Sequence, residues 1–237
     1  MEDYSRRHVL KASLWTFGAL CLGVPGIIAA AREPGNSSHA LLNWEEFVDK
    51  LEGAAKTQHR LPWNQETYVN SVAQMLAALN LSDSVLQRVM ADRHNAAIDG
   101  PDFADPLKTT DVQISLVTFE KNEWLPHHNH PTMTGVLTCA TGDLLVTSYD
   151  QVKSTEFSDS SSILIKRVGN EVISPGKIST LTKTQRNIHS VKALSFTQVI
   201  DIFTPPYNTE RTNRTSWYRV EKRPFRSQDE VWVAHPI

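Results

Sequence analysis

Three histidines fall within four positions of one short segment, LPHHNHPTMTG at residues 125–135. Imidazole nitrogens are the commonest metal ligands in proteins. Side chains on a β-strand alternate between its two faces, so His128 and His130 would point the same way while His127 points the other. Two imidazoles from one strand can therefore meet at one metal ion, and a third ligand must come from elsewhere.

The best-placed third ligand is His189 in the segment RNIHSV, where it begins a strong strand pattern. A lone histidine on a strand is usually a structural residue. A pair spaced as HxH, followed by a later strand histidine in the same β-rich half, instead favours a metal site. The sequence therefore predicts that His128, His130 and His189 bind one metal ion.

The region that must position these histidines is rich in β-strand patterns. From about residue 110, apolar and β-branched segments alternate with turn residues. Many short strands at this spacing predict a mainly β fold, a small antiparallel barrel or jelly roll. Gly142 with Asp143 and Gly169 with Asn170 mark two predicted hairpins. Cys139 lies in an apolar strand pattern and is interpreted as a buried small hydrophobe.

Residues 41–100 have a different, helical pattern of apolar residues. Three amphipathic helices are predicted, the first capped by Asn43 with Glu46, the second following Asn64 and the third following Ser84. Their apolar faces would pack against another element as core, so we expect N-terminal helices on the side of the barrel. Whether they only support it or also shape a substrate entrance is left open.

The first 31 residues have the layout of an export signal. A basic start with Arg6 and Arg7 precedes twenty uncharged residues that end in small side chains. The paired arginines resemble a bacterial twin-arginine signal, and cleavage is expected after Ala31. A retained membrane anchor is the alternative. Residues 32–40 are interpreted as a linker, and the exported protein would lie in the bacterial periplasm.

Composition narrows the classes of partner. The formal net charge is -2 and the sequence pI is near 6.5, which gives no electrostatic basis for binding nucleic acid. Of the two cysteines, Cys21 lies in the predicted signal, so only Cys139 would remain after cleavage and no internal disulfide could form. We expect a monomer that meets the membrane only for export or through an N-terminal anchor.

The segments LPHHNHPTMTGVLTCATGDLLVTSYD and RNIHSVKALSFTQVIDIFTPPY together resemble a known family. They are similar to the cupin thiol dioxygenases of the cysteamine dioxygenase and plant cysteine oxidase type, over about residues 112–220. The resemblance implies that residues 101–237 form a cupin domain. It also implies a mononuclear Fe(II) held by His128, His130 and His189, with His127 outside the set.

The implied activity is conversion of a thiol to its sulfinic acid, with both oxygen atoms taken from O2. Ordinary metal cupins usually supply a Glu shortly after the second histidine, and here that region reads PTMTG. A neutral three-histidine site leaves more positive charge on the iron, which suits an anionic thiolate. The expected substrate is a small aminothiol, cysteine or a peptide with an N-terminal cysteine.

Two further site residues follow from the resemblance. Asp201 would lie near the substrate amine, although it could instead cap the turn before TPPY. Tyr207 would donate a hydrogen bond to oxygen or substrate, or be a packed tyrosine with a backbone partner. One of the tandem prolines, Pro205 or Pro206, is expected to be cis.

The sequence also departs from the family pattern. Thr132 stands where the family usually has Gly, and Ser216 stands where some relatives carry the Cys that could crosslink to a tyrosine such as Tyr218. These departures leave the expected ligands intact. Thr132 flanks the predicted ligand strand together with His127, which stands where the family usually has an apolar residue, and these two residues could alter the substrate pocket. The alternative functions are another metal-dependent cupin oxygenase and a non-enzymatic periplasmic metal-binding cupin.

Overall fold

The described part of the chain is a β-structure with a helical layer at its N-terminal side. The computed structural model describes residues 41–58, 63–91, 100–155, 157, 159–207, 214–227 and 230–237. The predicted export signal, its anchor alternative and the linker at 32–40 lie outside these residues and stay predictions. Among the described helices, none combines the length and apolar character needed to cross a bilayer.

Three helices are present, and two of them begin at the predicted capping residues, whereas the third begins one residue earlier than predicted. Asn43 and Glu46 form reciprocal side-chain-to-backbone hydrogen bonds of 3.1 and 2.9 Å, as in a capping box. Asn64 accepts a hydrogen bond from Thr67 N at 3.1 Å. The third helix contains Ser84 and is capped by the residue before it, Asp83, which accepts from two amides of the first turn. The helices are α1 (Trp44–Gln58), α2 (Gln65–Ala77) and α3 (Ser84–Ala91).

Eleven strands follow within the described residues, and every pairing between them is antiparallel. They form a five-stranded sheet in the order β1-β2-β9-β4-β7 and a six-stranded sheet in the order β10-β11-β6-β5-β8-β3. The strands are β1 (Asp102–Lys108), β2 (Gln113–Phe119), β3 (Trp124–Asn129), β4 (Thr134–Thr141), β5 (Leu144–Val152), β6 (Ile163–Ile173), β7 (Ile178–Leu181), β8 (Ile188–Ala193), β9 (Thr197–Thr204), β10 (Tyr218–Val220) and β11 (Val231–Pro236).

The two sheets enclose one interior, and the helices cover the outside of the five-stranded sheet. Apolar side chains from both sheets meet in the interior, including Val117 and Val199 from one sheet and Val146 and Val191 from the other. The outward side chains of β2, β4 and β9 instead pack against the helices in a separate core. This mainly β, nearly closed antiparallel barrel with three added helices is the predicted cupin arrangement, so the fold prediction is confirmed.

Both predicted hairpins are wrong. Gly142, at φ +73°, does turn the chain, but β4 before it and β5 after it belong to different sheets. Gly169 and Asn170 lie inside the continuous strand β6. Gly169 pairs with Ser148 beside a register shift between β5 and β6, and an isolated strand glycine commonly accompanies such an irregularity.

Candidate metal centre

The structure brings the three predicted histidines to one point in the barrel interior. His128 and His189 face each other on the neighbouring strands β3 and β8, and His130 lies one residue beyond the end of β3. The three residues are buried, at 6%, 1% and 5% exposure for His128, His130 and His189. Each offers a ring nitrogen within 4.8 Å of the others. They therefore form a three-histidine site of the kind that holds a metal ion.

Hydrogen bonds at the far side of two rings set which nitrogen faces the centre. His128 Nδ1 lies 2.8 Å from the carbonyl oxygen of Pro126, so its Nδ1–H donates there. His130 Nδ1 is hydrogen-bonded to the Tyr207 hydroxyl. With these Nδ1 atoms engaged, Nε2 is the ring nitrogen that can bind a metal, which is the usual arrangement of metal-ligating histidines.

The side chain of Asn187 fixes the backbone of His130, which lies just outside the paired residues of β3. The side chain of Asn187 accepts a hydrogen bond from His130 N at 3.0 Å and donates one to His130 O at 2.8 Å. Asn187 also precedes the start of β8 by one residue. Because it binds both backbone groups of His130 and lies two residues before His189, Asn187 couples the positions of these two histidines.

The ring geometry and charge fit a bound metal cation. His130 Nε2 and His189 Nε2 are 3.1 Å apart, close to the spacing of about 3 Å for two nitrogens bonded at about 2.1 Å to one ion at right angles. Burial, together with the electrostatic influence of the neighbouring imidazoles of His128 and His127, holds the pKa of His189 well below its usual range. The His189 ring is therefore neutral, as a metal ligand must be. Among the described residues, no carboxylate joins this group.

His127 lies outside the three-histidine site, as strand alternation predicts. Its Nε2 is 3.4 Å from the hydroxyl of Tyr149, and the two rings meet edge to face at 5.3 Å. Burial lowers the pKa of His127 to about 4. His127 is thus a neutral packing residue beside Tyr149.

Asp201 lies in the middle of β9, on the interior face of the barrel. It stands opposite Ser115 on β2 and Leu137 on β4. Phe203, two residues on and hence on the same face about 7 Å along the strand, stacks on His130 with ring centres 5.0 Å apart. Asp201 is three residues from the end of its strand, so it does not cap the turn before TPPY. Burial raises its pKa well above the usual range.

Tyr207 is buried just after β9 and contacts the site through His130. Its ring lies 4.7 Å from that of Phe203. The hydroxyl group is hydrogen-bonded to the His130 ring, whereas the sequence had left a backbone partner as the alternative. The Thr204–Pro205 peptide bond is cis, as expected for one of the tandem prolines. Tyr207 therefore contacts His130, one of the three candidate ligands, at the ring nitrogen that faces away from the centre.

The segment before β10 forms one wall of the site. Trp217 bridges to His128 along the backbone, and its ring lies 4.7 Å from the His128 ring. Asn129 holds this segment through hydrogen bonds to Ser216 N at 2.7 Å and to the Tyr218 hydroxyl at 3.0 Å. An aromatic surface thus covers one of the three imidazoles.

Thr132 adopts a backbone conformation that explains why its position favours glycine. Its φ is +67°, in the left-handed region that a β-branched residue enters only at a steric cost. The residue follows His130 by two positions, in the turn that leads into β4. Threonine at this position therefore adds local backbone strain two residues after His130.

Sequence reasoning missed several residues that build this site. Gln113 and Ser115 are polar at inward positions of an otherwise apolar strand, which was a usable signal. No local sequence signal indicated that Asn187 would hold His130 or that Trp217 would cover His128, because these contacts join distant parts of the chain. Phe203 was hidden because an inward phenylalanine on a strand is ordinary core.

Residues 75–234 match the PCO_ADO family model, which describes the plant cysteine oxidase/cysteamine dioxygenase family. The match covers more than half of the chain. The chain therefore belongs to this family, and membership implies an iron-dependent thiol dioxygenase in general terms.

Three solved structures match about half of this chain. KdgF from Halomonas sp. is 18% identical, with 47% of this chain and 86% of that chain covered and a TM-score of 0.36. A cupin superfamily protein from Desulfitobacterium hafniense is 13% identical, with 47% and 84% covered and a TM-score of 0.35. An RmlC-like cupin from Shewanella frigidimarina is 14% identical, with 50% and 88% covered and a TM-score of 0.37.

Proposed function

We propose that this protein is an Fe(II)-dependent thiol dioxygenase that converts a cysteine-like or aminothiol substrate to its sulfinic acid. The observation that carries the proposal is a buried site of three histidines that no carboxylate of the described residues joins, in a chain of this family. The balanced reaction is R–SH + O2 → R–SO2H. Sulfur loses four electrons to O2, and both oxygen atoms end on sulfur.

His128, His130 and His189 would hold the iron through their Nε2 atoms. Bound iron would supply positions at which a thiolate sulfur and O2 come together. Because the three imidazoles are neutral, the site keeps the full positive charge of the cation and favours the thiolate over the thiol. The protein contributes the orientation of the rings, which Pro126, Asn187 and Tyr207 fix from outside the centre.

Asp201 would bind the substrate amine. Its carboxyl group faces the interior on the same face as Phe203, which stacks on His130. Burial removes water from the Asp201 carboxyl group and so raises its pKa. A substrate ammonium placed beside the carboxylate would supply an opposite charge in place of that water and stabilise the ionised form. The same carboxylate could accept a proton from the amine. An aminothiol, free cysteine or an N-terminal cysteine all present a sulfur and an amine in this way.

The test is O2 consumption by purified protein loaded with Fe(II), with products identified by mass spectrometry under ¹⁸O2. The thiol panel should contain cysteamine, cysteine, a peptide with an N-terminal cysteine, and a mercapto acid that lacks the amine. We expect a gain of two labelled oxygens on at least one amine-bearing thiol and weaker turnover of the amine-free thiol. The control is His189→Ala, which should give no uptake.

Two results would contradict the proposal. One is full iron occupancy with no thiol-dependent uptake of O2. The other is protein that binds Zn(II) or Cu(II) as isolated and has no O2 chemistry, which would favour a metal-binding cupin. Turnover of a carbon substrate with indifference to thiols would favour another cupin oxygenase.

The proposal includes export of the folded protein to the bacterial periplasm. Arg6 and Arg7 before an uncharged segment support it, and a folded substrate of that route could carry its iron with it. The check is cell fractionation with N-terminal sequencing of the mature chain. Arg6→Lys with Arg7→Lys should leave the protein in the cytoplasm, and unchanged export would contradict a twin-arginine route.

A further inference from the structure

A chain of hydrogen bonds runs from the surface of the barrel to the ligand His130. Ser115 Oγ donates to Asp105 Oδ1 at 2.6 Å. Gln113 Nε2 donates to Ser115 Oγ at 3.0 Å, and Tyr207 N donates to Gln113 Oε1 at 3.1 Å. The Tyr207 hydroxyl then meets His130 Nδ1. We call Asp105, Ser115, Gln113 and Tyr207 the Asp105–Tyr207 chain.

The polar members of β2 are exceptions on an apolar face. Gln113, Ser115, Val117 and Phe119 occupy alternate positions of the strand, and the last two belong to the interior core. Gln113 is 1% exposed. Burying an amide is costly unless its donor and acceptor are satisfied, and here one end binds Ser115 while the other binds Tyr207. The position therefore holds a glutamine that is fixed in orientation.

A β-bulge brings the charged end of the chain into reach. The register between β1 and β2 shifts between Ala104 and Leu107, so Asp105 falls in the bulge opposite Ser115. Bulges commonly redirect a side chain in this way. The exposed carboxylate of Asp105 accepts a hydrogen bond from the Ser115 hydroxyl, and the serine oxygen in turn accepts one from Gln113. A charged acceptor strengthens this bond and polarises the next one.

Tyr207 is held through its backbone by Gln113, away from the metal centre, and through its side chain at the metal centre. Its backbone N–H is fixed by Gln113, while its side chain contacts His130 and Phe203. His130 lies beyond the end of β3, so its ring depends on side-chain partners for its orientation. Fixing the Tyr207 backbone therefore fixes the direction from which the phenol meets His130 Nδ1.

We propose that Gln113, supported by Ser115 and Asp105, is a positioning residue of the metal centre that acts through Tyr207 on the orientation of His130. The proposal rests on the metal site of the proposed function and is independent of the thiol chemistry. None of the three residues would contact substrate or metal. Their effect would appear in metal affinity and in the ligand geometry of the bound ion.

The test variant is Gln113→Met, which keeps the length of the side chain and removes both hydrogen-bonding groups. The matched control is Gln198→Met on β9, where the amide instead donates to Met90 O at 3.4 Å on the outer, helix-covered side. The probes are Co(II), read by its ligand-field absorption, and Fe(II), titrated anaerobically against a chromophoric chelator. Thermal unfolding of the metal-free proteins measures folding separately.

For Gln113→Met we expect weaker metal binding by up to about tenfold, the lower end of the cost of losing an outer partner of a metal-bound histidine. The Co(II) absorption should also change in shape, because one imidazole is less well oriented. Ser115→Ala and Asp105→Asn should give smaller changes in the same direction. Gln198→Met should leave both readouts as in the unaltered protein.

A double-mutant cycle separates positioning from general damage. Tyr207→Phe removes the group through which Gln113 would act. If the proposal is right, Gln113→Met with Tyr207→Phe binds metal no more weakly than Tyr207→Phe alone, because coupled residues are not additive. Additive losses, or a well-folded Gln113→Met with unaltered affinity and absorption, would overturn it. If the variants change metal affinity and Co(II) absorption as expected but the protein turns over no thiol, the proposed function is contradicted while the positioning role of Gln113 stands.

Discussion

The barrel interior has two ends built from the same strands, and they differ in chemistry. At the metal end, β2, β5 and β8 contribute Gln113 with Ser115, Ser148 and His189. At the apolar end, the next inward positions of those strands are Val117, Val146 and Val191, which pack together with side chains from the facing sheet. Register and alternation are shared, so side-chain type alone separates the two ends.

The contrast shows how a small barrel combines stability with a polar cavity. Burial of apolar side chains at one end stabilises the fold by about 25 cal/mol per Å² removed from water. At the other end, buried polar groups are kept only where they are hydrogen-bonded or would bind a metal. We therefore expect substitutions at the metal end to change metal binding more than stability, and substitutions at the apolar end to do the reverse.

The largest expected effect is loss of iron from His189→Ala. Losing a residue that only hydrogen-bonds to a metal ligand weakens metal binding by up to about 100-fold. Removing one of the three ligands themselves should therefore weaken Fe(II) binding by more than this. Iron content after gel filtration measures this directly. The matched control is His127→Ala, which removes a neighbouring imidazole that packs on Tyr149 and should keep its iron. Equal loss in both variants would show that the two faces of β3 are assigned wrongly.

The apolar end should respond in the opposite sense. Leu144 is 1% exposed in the interior core, so Leu144→Ala should cost about 2–5 kcal/mol in the free energy of unfolding. Chemical denaturation of the metal-free protein measures the change. The folded fraction should bind Fe(II) as tightly as the unaltered protein. If affinity fell in proportion to stability, the two ends could not be treated as separate.

Asp201 tests the boundary between the ends through its pH dependence. Its pKa is raised in the folded protein by burial, so the folded state resists ionisation more than the unfolded state. Its contribution to stability is therefore complete below the ordinary carboxyl pKa and is lost as the pH rises through the folded-state pKa. Asp201→Asn should then gain stability relative to the unaltered protein at pH 8 but not at pH 3.

The measurement is the unfolding midpoint of metal-free protein at both pH values. Asp49→Asn, on the exposed surface of α1, controls for removing a charge. The same Asp201→Asn variant should turn over amine-bearing thiols more slowly. A stability difference that shrinks as the pH rises would show that the carboxyl group is ionised and paired in the folded protein.

Much of this arrangement could be predicted from local patterns. The caps at Asn43 and Asn64 act within three residues, and alternation along β3 is a local rule, so the helices and the separation of His127 from His128 followed directly. The hairpin predictions failed because a turn residue does not say with which strand the chain next pairs. β4 pairs with β7 and β9, and β5 with β6 and β8, so neither pairs across Gly142.

The outer contacts of the site could not be predicted, because they join distant residues. Gln113 and Tyr207 are 94 positions apart, and Asn129 and Ser216 are 87. An inward polar residue on a strand signals that it has a partner without identifying it. What holds His130 could not be predicted either. The HxH spacing alone suggests that His130 is held by strand pairing, whereas the side chain of Asn187 binds its backbone.

The smallest expected effect concerns Cys139, a thiol inside a protein proposed to oxidise thiols. It lies at the apolar end, fully buried, and its Sγ donates to Ile173 O at 3.1 Å. Burial raises the pKa of this thiol to about 12, so it is not a thiolate and is a poor reductant. Cys139→Ala should cost about 1 kcal/mol in stability and leave metal binding and turnover unchanged.

Mass spectrometry of the intact protein after many turnovers provides the sharper measurement. Cys139 should remain a free thiol while the added substrate gains two oxygens. The cysteine in protein unfolded in denaturant should react with a thiol reagent, which controls for detection. A sulfinic acid at Cys139 formed only in the iron-loaded protein would mean that oxygen chemistry reaches the apolar end, and the separation of the two ends would fail.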